Sequence, residues 1–436
     1  MLVKDIEIIT MREGKKEIIH GDVFIKDKII QEIKPHSEKS KDKIVIDGIG
    51  KVLLPGFINC HTHSPMILFR GVADDVDINT WFNDYIWRLE KNETPDDIYW
   101  GAKLAIAEML LSGTTTFLDM YFHMDKVAKA VEELGIRAFL AWTVFGVGEK
   151  IGEKLKDSVN FIKNYDGTAS GRIRTVLNPH STYTCPPSFL SKVAEIGKDL
   201  DNLRSLHLCE TKEQVEESLS NYGKSPVQIC LDTGIFDKPI VAAHAIHINE
   251  EDLKVFKEKD VRVAHCPECN SRYCLGIAPI AQMVEMGIKV GLGTDGAASN
   301  NNLDMLDEIK LAAILQKVKL NDPIIMSNFE VLKMATYGGA QVLGIENELG
   351  SIEEGKKADV IIFDFNNAPH LNPKIDIISN IVYSAKSSDI SHVIVDGKLI
   401  VDNRKIIDFD MKKSIDEVNL RSKRLLEQKG ELMVEY

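Results

Sequence analysis

His61 and His63 are separated by one residue, so on an extended strand both imidazoles point to the same side, as two ligands of one ion must. His207 and Asp295, far along the chain, would complete a nitrogen-and-oxygen set suited to Zn²⁺, with a position left for water. Such an ion brings hydrolysis within reach at neutral pH, because it lowers the pKa of its water to about 7. His180, His244 and His265 also close short apolar runs, although the chain has only 12 histidines in all. Taken alone, His61-Thr62-His63 is equally compatible with a strand end whose rings bond water or backbone. Its combination with His207 and Asp295 is what points to a metal.

Residues so distant need a frame that gathers strand ends. From Phe57 onward, strand-like segments fall near 57–61, 114–119, 137–143, 173–178, 205–209, 240–244, 261–265 and 288–293. Helical patterns separate them. Thr94-Pro95-Asp96-Asp97 supplies a cap and first turn, Ala102, Ala105, Ile106, Met109 and Leu110 share a face, and Gly113 stops the run. Eight strands alternating with helices predict an α/β fold, a (β/α)₈ TIM-type barrel over 56–354, with functional groups at the C-terminal strand ends. Residues 1–55 and 355–436 carry a different, alternating texture, with Asp396-Gly397 as a two-residue turn between apolar runs. They predict one discontinuous β-sandwich domain built from both chain ends. Met411 to Lys429 reads as a charged amphipathic helix that packs on the barrel or on a partner chain, which leaves a homo-oligomer open.

The chain has 436 residues, 44% hydrophobic and 27% charged, an ordinary globular composition that excludes disorder, collagen and disulfide-knot classes. A formal net charge of −13 argues against nucleic acid and anionic membranes as partners and favours a small neutral or zwitterionic molecule. No run approaches the ~18 apolar residues of a membrane span, and the first twenty residues carry Lys4, Asp5, Glu7, Arg12 and Glu13. A cytoplasmic protein with seven reduced cysteines is expected.

Pro55-Gly56-Phe57-Ile58-Asn59-Cys60-His61-Thr62-His63 resembles the opening signature of the amidohydrolase superfamily. The run from Leu292 through Asp295-Gly296-Ala297-Ala298-Ser299-Asn300 to Met305 resembles the eighth-strand signature of its 5-methylthioadenosine/S-adenosylhomocysteine deaminases. The likeness spans essentially the whole chain, including Gly355-Lys356-Lys357-Ala358-Asp359. It implies one divalent ion, zinc first with Fe²⁺ or Mn²⁺ as alternatives, on His61, His63, His207 and Asp295. Binuclear relatives bridge two metals with a lysine after strand 4, where this chain has Pro179-His180. The implied reaction is hydrolytic deamination of an adenine nucleoside. Attack on the ring needs a proton delivered to a ring nitrogen, and Glu210, three residues past His207, is placed for it. Asp295 takes the proton of the water and His244 holds or polarises it. By the same resemblance Trp81 packs near the base, Glu90 accepts ribose hydroxyls and His180 contacts the nucleoside. Trp81 and Glu90 lie in the aromatic-rich connection 64–93, long enough to be a binding loop.

Members that bind S-adenosylhomocysteine hold its carboxylate with arginines. Here Trp142 stands where the first is expected, and Lys150 or Lys154 where the second is. Lysine is a poorer fork for a carboxylate, so uncharged 5′ ends are expected: 5-methylthioadenosine, 5′-deoxyadenosine or adenosine, with S-adenosylhomocysteine weaker. Within the superfamily the alternative is another aminohydrolase or chlorohydrolase, acting on a guanine or triazine ring. The alternative of a different class is a non-catalytic barrel scaffold, which would lack the ligands. Cys266, Cys269 and Cys274 are read as ordinary thiols, His265 as a packing or supporting residue, and Gly291-Leu292-Gly293 as too short for a dinucleotide loop.

Overall fold

Strands buried on both faces must be covered on both, and a closed barrel ringed by helices does this. In the computed structural model, which describes residues 1–37, 44–148 and 151–433 (for 429–433 the backbone alone), eight such strands form one parallel sheet in chain order. They are Phe57–Thr62 (β1), Thr114–Tyr121 (β2), Arg137–Val144 (β3), Ile173–Pro179 (β4), Arg204–Leu208 (β5), Ile240–His244 (β6), Val261–His265 (β7) and Val290–Leu292 (β8). Ile58, Leu118, Phe139, Val176, Val241 and Ala264 share one core cluster inside the ring. The seam between β8 and β1 is closed by Asp295 N donating to His61 O at 3.0 Å. Asn59 reinforces it, with Oδ1 accepting from Thr294 N at 3.1 Å and Nδ2 donating to Thr294 Oγ1 at 2.7 Å. Gly293 has a packing reason rather than a phosphate-binding one: a Cβ there would lie 2.9 Å from the His61 backbone.

The helices begin and end where the sequence signals them. Pro95–Leu111 starts on a capping box in which Thr94 and Asp97 bond each other's backbone N–H, and Gly113 follows with φ +86°. Asp97 has a second role. Its buried carboxylate receives Arg421 at 3.2 Å and Arg424 at 2.5 Å from the last helix, Met411–Met433. That helix packs on the barrel, against Pro95–Leu111, Ser64–Phe69 and Trp87–Glu90.

Both chain ends build the second sheet. Leu2–Ile9, Ile18–Lys26, Ile29–Lys34, Val45–Asp47 and Lys51–Pro55 come from the start, and Val360–Asp364, Ile390–Val395, Lys398–Asp402 and Lys405–Ile406 from the end. The sandwich is a single nine-stranded sheet folded back on itself. Ile30 N donates to Lys356 O at 2.9 Å and Gly355 N to Ile30 O at 2.8 Å, enclosing Val3, Ile6, Val23, Val360 and Ile362. Asp396 and Gly397 both take positive φ, the geometry of the expected two-residue turn.

Arg137, at the start of β3, ties this sheet to the barrel. Its guanidinium forks onto Asp359 at 2.9 and 3.1 Å and reaches Asp396 at 3.1 Å, all three side chains being buried. Removing the cation leaves buried Asp359 without a counter-charge and Asp396 with Lys28 alone, so Arg137→Met is expected to lower unfolding stability by about 3–5 kcal/mol. Denaturant titration checks it, and a loss below about 1 kcal/mol would show the knot to be dispensable. Among the described residues no helix is long and apolar enough to cross a membrane, and all seven cysteines are free thiols.

Candidate active site

The C-terminal strand ends open into a cavity lined by His63, His180, His207, Glu210, His244 and Asp295, with Trp81 and Glu90 on its wall. Every residue singled out as ligand, proton carrier or substrate contact, except buried His61 beneath it, therefore faces one space. His61 lies at the floor, its ring centroid 4.8 Å from that of His63, 5.0 Å from His207 and 5.4 Å from His244.

Backbone carbonyls fix which nitrogens are free. His63 Nδ1 donates to Met120 O at 2.7 Å and His207 Nδ1 to His180 O at 3.1 Å, so in both neutral rings Nε2 carries the lone pair. These two Nε2 atoms face each other at 3.3 Å. Asp295 Oδ1 lies 3.1 Å from His63 Nε2 and 3.2 Å from His61 Nε2. His61 Nε2 and Asp295 Oδ1 are both buried without a hydrogen-bond partner. Converging lone pairs repel unless a proton or a cation lies between them, and a divalent cation would satisfy all of them at once. The donor set fits such an ion. His61 with His207 and His244, and His61 with His63 and Asp295, each bring their ligand atoms within 4.8 Å.

The electrostatics agree. Burial holds His61 down to a pKa of about 4 and His180 to about 3. For His63 burial is outweighed by Asp295, which pushes it up to about 9, so without an ion a proton sits in the His63 Nε2–Asp295 Oδ1 contact that a metal cation would take over. Burial also opposes the Asp295 carboxylate, yet the two imidazoles keep it well below the usual range. This corner of the cavity attracts positive charge.

The remaining groups are set by their own partners. His244 Nδ1 donates to Asn270 Oδ1 at 2.9 Å, leaving Nε2 3.8 Å from Glu210 Oε1. His180 Nδ1 is engaged by Ser181 Oγ at 3.1 Å and Thr184 Oγ1 at 2.9 Å, and its ring stacks on Phe145 at 4.6 Å. The connection 64–93 is a chain of short helices, with Trp81–Ile86 wound in wider i→i+5 turns. Trp81 is buried there, edge-on to Phe82 at 4.8 Å. Cys209, His244, Ala245 and Asp295 all take left-handed backbone, with φ of 50°, 70°, 47° and 60°. Non-glycine residues in that region carry strain and cluster where side chains must be aimed.

The structure adds residues that the sequence did not reveal. Asp295 Oδ2 accepts from Ser299 Oγ at 2.7 Å and from Cys269 Sγ at 2.9 Å, which turns Oδ1 toward the histidines. Cys269 therefore serves the site although its spacing suggested nothing. Asp119 accepts from Ser64 N and Ser64 Oγ, both at 2.6 Å, and so fixes the turn that follows His63. His265 stays outside the ligand set, buried with both ring nitrogens unpartnered.

One sequence expectation is corrected. On β3 the residues Phe139 and Ala141 point into the barrel and Thr143 into the cavity, so Trp142 points out. Its ring packs on Phe161 at 5.7 Å and His123 at 6.0 Å and lines neither the inner nor the outer cavity, so it is not placed to select a 5′ substituent. Lys150 lies outside the described residues. Lys154 lines an outer cavity with Lys91, Trp87, Phe122, Phe145 and Val147, which shares Glu90 with the inner one.

Comparison with known proteins gives a consistent result. The model of the amidohydrolase family matches residues 52–400. A curated protein from Caldanaerobacter subterraneus subsp. tengcongensis, named 5-methylthioadenosine/S-adenosylhomocysteine deaminase, is 44% identical over 435 residues, covering 99% of each chain. The solved structure of an adenosine deaminase from Xanthomonas campestris with bound zinc superposes with a TM-score of 0.93 at 29% identity, covering 98% of each chain. An atrazine chlorohydrolase from Arthrobacter aurescens TC1, complexed with zinc, gives 0.88 at 25% identity, covering 97% of this chain and 99% of the other.

Proposed function

The chain belongs to the amidohydrolase family and, within it, to the 5-methylthioadenosine/S-adenosylhomocysteine deaminases, and on that premise we propose that it hydrolytically deaminates an adenine nucleoside, yielding the inosine analogue and ammonia. The observation that carries the reading is the convergence at the cavity floor of His61 Nε2, His63 Nε2, His207 Nε2 and Asp295 Oδ1, of which His61 Nε2 and Asp295 Oδ1 have no hydrogen-bond partner. These residues hold one divalent ion, and the nitrogen-and-oxygen set together with the zinc in the two solved relatives favours Zn²⁺. When bound, the ion makes water a nucleophile at neutral pH.

The side chains around it carry the protons. Asp295 Oδ1 accepts one from the attacking water, and His244 Nε2 holds that water by accepting a hydrogen bond. Glu210 delivers a proton to N1 as C6 becomes tetrahedral, so no charge builds on the ring. The proton on Asp295 then passes to the exocyclic nitrogen, the C6–N bond breaks and ammonia departs. Glu210 recovers its proton from the C6 hydroxyl as the carbonyl forms, so the balance closes. Trp81 walls the base from water, His180 contacts the nucleoside and Glu90 accepts the sugar hydroxyls.

The outer cavity sets the 5′ preference. Its walls are largely apolar, and the cations lining it, Lys91 and Lys154, are poorer carboxylate partners than arginine. Ultraviolet assays of adenosine, 5-methylthioadenosine, S-adenosylhomocysteine, guanine and a chlorotriazine, with metal analysis of the same sample, test the whole reading. Turnover of the adenine nucleosides alone is expected, 5-methylthioadenosine ahead of S-adenosylhomocysteine, with one equivalent of metal. Turnover of guanine or the triazine instead would replace the reading with the rival one. A folded protein without metal or activity would favour the scaffold.

A further inference from the structure

Tyr121, the last residue of β2, has one hydroxyl hydrogen and two carboxylates to satisfy. Its oxygen lies 2.9 Å from Glu90 Oε1 and 2.7 Å from Glu93 Oε2. A phenol donates once, so the second contact is a hydrogen bond only if a carboxyl group brings its own hydrogen. Were both acids ionised, one short oxygen–oxygen contact would hold no proton at all. Glu93 is the better holder. Its Oε1 is enclosed with no hydrogen-bond partner, whereas Glu90 opens onto the cavity. The surroundings favour the same assignment. Burial, then Glu90, and beyond them Asp97, push the Glu93 carboxyl well above its usual range, with Tyr121 and Arg424 opposing. Burial lifts Glu90 only to about 7, with Tyr121 and His63 opposing.

We propose that Glu93 and Tyr121 are positioning residues: a neutral Glu93 carboxyl donates to the Tyr121 hydroxyl, which donates to Glu90 Oε1 and fixes that carboxylate as the acceptor for the vicinal hydroxyls of the sugar. The inference rests on the nucleoside reading above and deepens it by assigning the sugar end of the site. Tyr121 and Glu93 need not touch substrate for this. Their effect should appear only with substrates whose hydroxyls use Glu90.

Steady-state kinetics on adenosine and 2′,3′-dideoxyadenosine, with calorimetric binding of inosine and 2′,3′-dideoxyinosine, provide the test. Tyr121→Phe removes a hydrogen bond to a charged acceptor, so KM for adenosine is expected to rise about tenfold with kcat nearly unchanged. Inosine binding should weaken in parallel, while both dideoxy compounds are unaffected. Glu93→Gln is expected to behave like the unaltered protein, since its amide also donates to the phenol, and Glu93→Ala to behave like Tyr121→Phe. Should Tyr121→Phe fail to fold, the two Glu93 variants decide the matter. Equal losses for ribo and dideoxy compounds, or a Glu93→Gln as impaired as Glu93→Ala, would overturn the proposal. An unaltered protein that turns over no purine nucleoside overturns the nucleoside reading and this inference with it.

Discussion

His63→Ala is expected to abolish metal retention and with it at least roughly 10⁴-fold of kcat/KM. His63 is central to the donor set because its Nε2 lies 3.1 Å from Asp295 Oδ1 and 3.3 Å from His207 Nε2, so it joins the oxygen side to the nitrogen side. Its Nδ1 is committed to Met120 O, so Nε2 is the nitrogen it offers the centre, and alanine offers none. The substitution should leave the fold intact, since His63 sits beyond the last residue of β1 and the seam is closed by the His61 backbone. Metal analysis after dialysis, thermal melting and nucleoside turnover on one preparation separate these effects. A variant that keeps its metal and its turnover would falsify the assignment of the centre.

Glu210→Gln makes the complementary case. The amide keeps the shape and the contact with Gln214 but cannot carry a proton to the ring, so kcat should fall by roughly 10²–10⁴-fold with metal content unchanged. Substrate affinity should change far less, because the lost interaction belongs to the transition state. Paired with His63→Ala, this variant separates two failures that a bare activity assay confuses: an empty centre and a full one without its proton carrier. If Glu210→Gln retained more than about a tenth of the activity, proton delivery would have to come from another group.

The barrel and the meeting of His61, His63, His207 and Asp295 at one end of it could be read in the sequence because strand periodicity places strand ends together. His61 and His63 share a strand face by spacing alone, and each strand lies within a few residues of its expected place because apolar runs and caps are local signals. The supports of Asp295 could not be read. Cys269 and Ser299 reach its Oδ2 from two different helices after β7 and β8, and no local pattern marks such a meeting. The left-handed backbone at His244 and Asp295 is equally silent, since nothing in His or Asp as residue types demands it. Trp142 was misread for a reason that strand parity could have supplied: with Ala141 and Thr143 both facing inward or into the cavity, one residue of β3 cannot face both ways. The Glu93–Tyr121–Glu90 chain depends on β2 lying beside the connection 64–93, which is tertiary information.

The clasp of Arg421 and Arg424 on Asp97 has a bearing on how the enzyme is made. Asp97 begins the helix that follows Glu93, and the helix bearing the two arginines also packs on Trp87–Glu90. Glu90, proposed above to accept the sugar hydroxyls, thus lies on a segment synthesised in the first quarter of the polypeptide and packed against one synthesised in the last. A nascent chain on the ribosome can complete the proposed ligand set once Asp295 has emerged, yet it must wait more than a hundred further codons for the arginines that clasp Asp97. On the proposed assignment, competence to bind the ion therefore precedes competence to hold the substrate during synthesis.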